Sequence, residues 1–101
     1  MAITTQFNPE TETFTIKISQ QFNFSVNSSF RNAMQKITSD MKTVVVDLQN
    51  VEYLDSSALG MLLLLQDHTK TNKQNFYLFG AKGEVKKSLD IAKFGLLITI
   101  K

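Results

Sequence analysis

The chain has 101 residues, 43% of them hydrophobic, with a formal net charge of +2 and no cysteine. That is the size and apolar content of one folded domain rather than a disordered tail. Disulfides, thiolate metal sites and cysteine nucleophiles are excluded. The start, Met1-Ala2-Ile3-Thr4-Thr5-Gln6, has neither the basic region nor the long apolar run of a signal peptide. The richest apolar stretch, Ala58 to Leu65, is shorter than the roughly 20 residues that span a bilayer. A soluble, cytoplasmic protein without membrane insertion is expected. Lys82, Lys86, Lys87 and Lys93 form the nearest thing to a basic cluster. No aromatic residues interleave them as a nucleic-acid platform requires, so they read as a solvated helix face.

Ile3, Thr5 and Phe7 alternate as in a short strand. Asn8-Pro9-Glu10-Thr11 supplies turn chemistry, and Phe14, Ile16 and Ile18 then repeat with period two as a second strand. From Ser25, a candidate N-cap, the spacing becomes helical through Val26, Phe30, Ala33, Met34 and Ile37. Thr43 to Leu48 is β-branched and almost wholly apolar, as a central strand would be, and ends at Asp47 and Leu48. A loop containing Val51, Tyr53 and Leu54 is expected next, with Asp47 hydrogen-bonding to it. Asp55 then caps a helix running to about Thr71.

Asn75 to Phe79 reads as another buried strand. Gly80 to Gly83 turns the chain into a short helix, Glu84 to Lys93, with Val85, Leu89 and Ala92 inward and Gly95 as the stop signal. Leu96 to Ile100 closes the chain as a last strand. The order β-β-α-β-α-β-α-β predicts an α/β domain spanning 1–101. Its sheet of about five strands is mixed and mostly parallel, with an antiparallel hairpin at the start and the helices on one face.

The most informative stretch, Val44 to Leu65, reads VVVDLQNVEYLDSSALGMLLLL. Asp55 as N-cap would accept a hydrogen bond from a first-turn N–H, and Ser56 and Ser57 occupy that turn. Gly60 is unusual inside a helix, where it costs about 1 kcal/mol relative to Ala. It suggests that another element or another protein approaches the helix backbone there. Taken alone, Asp-Ser-Ser before an apolar run is an ordinary helix start.

The whole pattern, a Val-Val-Val-Asp-Leu strand followed by Asp-Ser-Ser-Ala-Leu-Gly and leucines, resembles the STAS family of anti-sigma factor antagonists. The resemblance covers essentially the full chain and implies the STAS-like fold. It also implies a switch without catalysis, cofactor or metal. The second serine of the motif, here Ser57, is the phosphorylation site. The unmodified form binds an anti-sigma factor that doubles as a serine kinase, or a similar regulator. Phosphorylation releases it, and a serine phosphatase, of which a response-regulator fusion is one form, reverses the change.

The implied partner-binding residues are Asn23, Phe24, Asp55, Ser56, Ser57, Ala58, Gly60 and Met61. The chain departs from the family at Gln20-Gln21-Phe22-Asn23-Phe24. Gln20 stands where glycine is common and Asn23 where aspartate is common. Ala58 replaces a frequent glycine. Phe24 reads first as core, and otherwise as an exposed partner contact.

Rival readings fare less well. Ser57 and His68, the only histidine, lie eleven residues apart on one predicted helix, about 16 Å along its axis, too far for a nucleophile and its base. His68 reads as solvent-facing. No GxxxxGK phosphate loop or metal-ligand cluster occurs. A receiver domain needs an acidic pair after the first strand, where this chain has Phe7-Asn8-Pro9-Glu10. A histidine phosphotransfer module is a helical bundle, against the β-rich pattern. The remaining alternative is a STAS adaptor subunit of a transport or other regulatory complex, without phosphorylation.

Overall fold

Alternating apolar residues give this chain a sheet with one buried face. The computed structural model describes residues 2–101. In it, β1 (Ile3–Asn8) and β2 (Thr13–Phe22) form an antiparallel hairpin. The Asn8 side chain closes the turn by accepting from the backbone N–H of Glu10 at 2.9 Å, as turn asparagines do. A short 3-10 turn (Phe24–Val26) leads into α1 (Asn27–Gln35). Then follow β3 (Thr43–Leu54), α2 (Ser56–Thr71), β4 (Asn75–Phe79) and α3 (Gly83–Ile91). A second 3-10 turn (Phe94–Leu96) precedes the two-residue β5 (Thr99–Ile100).

The five strands lie in the order β1-β2-β3-β4-β5, and all pairs except the first are parallel. This is the mixed, mostly parallel sheet expected from the sequence. Phe14, Ile16 and Ile18 of β2, Val44, Val46 and Leu48 of β3, and Phe76 and Leu78 of β4 point into one core. Helices supply the other side of that core: Phe30 and Ala33 from α1, Leu62 and Leu65 from α2, and Val85 and Leu89 from α3. The rings of Phe22 and Phe30 meet at 5.6 Å between centroids, tilted by 32°.

Four local expectations are corrected. First, the loop expected at Val51–Leu54 is strand. β3 runs on to Leu54 and stays paired with β2 through Phe22. Between the pairs Lys17–Asp47 and Ser19–Asn50, β2 advances two residues and β3 three. Between Gln20–Val51 and Gln21–Tyr53, β2 advances one residue and β3 two. Each bulge inserts one residue into β3. The buried residues Leu48, Val51 and Leu54 are therefore spaced by three, which hides the strand period.

Second, Ser25 does not cap the first helix. It lies inside the 3-10 turn, which Asn23 caps. Third, Ala92 is exposed at the C-cap of α3, and Lys93, not Gly95, takes the left-handed conformation after it (φ 57°). Fourth, the last strand is only Thr99–Ile100. Leu96 lies in the preceding turn and is 82% exposed.

The turn at Gly80 is glycine-dependent. Its φ is 79°, and a Cβ there would run into the Gln49 side chain. An L residue meets both obstacles at once.

Candidate functional site at the start of α2

The ends of β2 and β3 hold the site. Phe22 pairs with Leu54, and one residue on, the Asp55 N–H donates to the Phe22 carbonyl at 3.3 Å. This bond sets the turn after β2 beside the first turn of α2. Both turns use the same device, a short polar side chain capping a helix start.

Asp55 is in extended conformation, as an N-cap must be. Its Oδ1 accepts from the backbone N–H of Ser57 at 3.0 Å and of Ala58 at 3.1 Å. The same oxygen accepts from the Ser57 hydroxyl at 2.6 Å. One carboxylate oxygen thus serves three donors. The Ser57 hydrogen bond, followed by those of the backbone N–H groups, holds the Asp55 carboxyl below its ordinary value of 3.8, against the opposing effect of partial burial. The carboxylate is a fixed negative charge at the positive end of a helix, a favourable placement.

Asn23 mirrors this on the neighbouring turn. Its Oδ1 accepts from the Ser25 N–H and hydroxyl, and its Nδ2 donates to Gln21 Oε1 at 3.3 Å. Phe24, read first as core, is 69% exposed. It projects from the capped turn because Phe22 and Val26, on either side, take the core positions.

The expected contact residues divide by burial. Ser56, Gly60 and Phe24 are exposed, and Asn23, Asp55 and Ser57 are half-buried. Ala58 and Met61 are core residues, 0% and 4% exposed. They sit on the inner side of the first helical turns, where they seat the helix on the sheet. Gly60 is open: a Cβ there would meet nothing within 4 Å. Among the described residues, no other element reaches that position, and the expectation that one packs against the Gly60 backbone is corrected.

Gln20 has φ 66°. It occupies the position where the resemblance places glycine, at the second β-bulge. The sequence signal was therefore present, and its physical content is a left-handed backbone. Asp47 accepts from the Gln49 N–H at 3.0 Å and from its Nε2 at 3.4 Å. The loop expected as its partner is strand, and Asp47 does not end β3.

His68 is not simply solvent-facing. It is half-buried, and its Nε2 is enclosed without a hydrogen-bond partner. It stands eleven residues along α2 from Ser57, so the two cannot form a catalytic pair. Among the described residues no three His, Asp or Glu side chains gather as metal ligands would. No helix of those residues is long and apolar enough to cross a membrane. Lys86 pairs with Asp90 at 3.5 Å on an exposed face of α3, as a solvated charge pattern would.

A five-stranded mixed sheet with a serine hydrogen-bonded to the cap of its second helix defines a small α/β module. Over residues 2–101 the sequence matches the model of the STAS domain, and the chain belongs to the STAS domain family. It is 41% identical over 100 residues to a STAS-domain containing protein of Pseudomonas aeruginosa (strain UCBPP-PA14), covering 99% of each chain.

Solved structures share the fold at lower identity. An anti-sigma factor antagonist from Mycobacterium paratuberculosis superposes with TM-score 0.80 at 18% identity, covering 97% of this chain and 84% of that one. The anti-sigma factor antagonist SpoIIAA in its unphosphorylated form gives 0.73 at 14%, over 99% and 87% of the two chains. The phosphorylated form of this Bacillus protein gives 0.68 at 13%, over 99% and 91%. A sulfate transporter family protein from Wolinella succinogenes gives 0.73 at 17%, over 82% and 68%.

Proposed function

We propose that this chain is an anti-sigma factor antagonist of the partner-switching kind, turned off by phosphorylation of Ser57. The observation that carries the reading is the 2.6 Å hydrogen bond from the Ser57 hydroxyl to Asp55 Oδ1, at the half-exposed start of α2. The likeness to SpoIIAA, a protein solved in both unphosphorylated and phosphorylated forms, supports it.

In the unmodified chain the hydroxyl proton is held by Asp55, and the helix start presents a small neutral surface. A phosphate on Ser57 removes that donor and adds about −1.5 to −2 charges beside the Asp55 carboxylate. The helix N-terminus tolerates the anion, so the fold persists. Docking is lost instead, through like-charge repulsion and the cost of desolvating the phosphate. Asn23, Phe24, Ser56 and Gly60 complete the surface that a serine kinase or similar regulator would cover.

Incubation with the candidate serine kinase and ATP, followed by mass spectrometric mapping, should place the phosphate on Ser57. Ser57→Ala should stay bound to the partner and Ser57→Asp should release it. Equal binding by both variants would overturn the reading. The fold shared with a sulfate transporter family protein favours one alternative, a non-phosphorylated adaptor. That reading requires binding to a transporter subunit that is indifferent to both substitutions.

A further inference from the structure

The turn before α1 repeats the arrangement found at Ser57. In each case the serine stands two residues after the cap, Ser25 after Asn23 and Ser57 after Asp55. One cap oxygen accepts from both the backbone N–H and the hydroxyl of that serine. The distances are 2.9 and 2.5 Å at Ser25, and 3.0 and 2.6 Å at Ser57. The bond from the Asp55 N–H to the Phe22 carbonyl holds the two turns side by side. Ser25 is exposed, whereas Ser57 is half-buried. Ser25 also lines a cleft of about 360 Å³ with Ser19, Gln20, Gln21 and Asn23, in which Glu52 supplies the one carboxylate.

The two caps differ in charge. Asn23 is neutral, and its Nδ2 is engaged by Gln21 Oε1. The first turn of α1 carries no acidic residue. A phosphate on Ser25 therefore meets no carboxylate at its own cap, whereas one on Ser57 is set beside Asp55. We propose that Ser25 is a second phosphoacceptor, modified by the serine kinase that modifies Ser57, an inference that rests on the reading of Ser57 as a phosphorylation site. The Ser25 hydroxyl oxygen attacks the γ-phosphorus of ATP. An O–P bond forms there, the bond to the bridging oxygen breaks, ADP leaves, and the hydroxyl proton passes to a base of the kinase. The product sets about −1.5 to −2 charges beside the exposed Phe24, on the far side of the docking surface from α2. Docking is then weakened from either turn, and release becomes graded rather than all-or-none.

Phosphorylation of the full chain by the candidate serine kinase and ATP, read by mass spectrometry, tests it. Trypsin puts Ser25 in the peptide Ile18–Arg31 and Ser57 in Thr43–Lys70, so the two marks separate. Ser28 and Ser29 share the first peptide, and fragment ions must place its phosphate on Ser25. Both peptides should carry label in the wild type. Ser57→Ala should keep the label on Ser25, and Ser25→Ala should keep it on Ser57. The Ser25 hydroxyl is exposed, so Ser25→Ala and Ser25→Asp should melt like the wild type. Ser25→Asp should bind the regulator about tenfold more weakly, and Ser25→Ala should bind it as the wild type does. Label on Ser57 alone, or on Ser28 or Ser29 in place of Ser25, would overturn the proposal and leave the reading of Ser57 intact. Label on neither peptide would overturn both.

Discussion

The Ser57 hydroxyl and the backbone N–H groups of Ser57 and Ala58 converge on a single oxygen of Asp55. The residue that starts the helix is therefore also the residue that holds the Ser57 hydroxyl. Any change at the hydroxyl is felt first by the cap.

Removing the cap should cost stability. Asp55→Ala leaves the first-turn N–H groups without their acceptor, and a loss of about 1 kcal/mol is expected. For a chain of this size that is a fall of about 4–8 °C in thermal midpoint. Asp55→Asn keeps an acceptor oxygen and should fall less. Circular dichroism melts of both variants check the order.

The Asp55 carboxyl lies below its ordinary value of 3.8, chiefly through the Ser57 hydrogen bond. A carboxyl depressed by folding contributes stability that is fully present above its unfolded value. That contribution is lost as pH falls from about 4 through the lower folded value. Ser57→Ala should move the Asp55 titration back upward, measured by carboxyl carbon chemical shifts. Denaturant melts of Asp55→Asn should lack this part of the acid sensitivity.

Gln20 is held at φ 66° with an L side chain. Such a conformation costs an L residue about 1–2 kcal/mol, of which glycine's greater freedom in the unfolded chain returns about 0.4–1. Gln20→Gly should therefore raise stability by about 0.5–1 kcal/mol. The urea midpoint should rise with an unchanged slope. Gln20→Val should lower it, since a branched side chain tolerates this backbone least.

Phe24 and Phe22 differ by two positions and should differ sharply in consequence. Phe24→Ala removes a side chain that is 69% exposed and should change stability by no more than about 0.5 kcal/mol. Phe22→Ala empties a fully buried site and should cost about 3–5 kcal/mol. If Phe24 serves the docking surface, its alanine variant should bind the kinase or regulator more weakly while melting like the wild type. A large fall in thermal midpoint would return Phe24 to the core.

Periodicity made most of the fold legible, because most elements bury one face with an unbroken repeat. Phe14-Ile16-Ile18 and Val26-Phe30-Ala33 could be read directly. Val51 and Leu54 could not, because two inserted residues replace the spacing of two with a spacing of three. The end of α3 was not legible for a related reason. Left-handed backbone at Lys93 uses a residue that carries no glycine signal.

At the site, Asp55 was legible as a cap because its chemistry is local. The burial of Ala58 and Met61 was not legible, because a run as apolar as Ala58–Leu65 does not show which side of the helix faces inward.

The two bulges of β3 have a consequence for the site itself. A strand alternates its side chains between two faces, so each inserted residue reverses the parity of everything after it. Two insertions cancel. Leu54 returns to the same parity as Val44, and α2 departs from the core side of the sheet with Asp55 at its head. Deleting one residue between Leu48 and Leu54 would turn Leu54 outward and misdirect the helix. Deleting one from each bulge would restore the parity. The position of Ser57 is thus set by an even count of irregularities upstream of it.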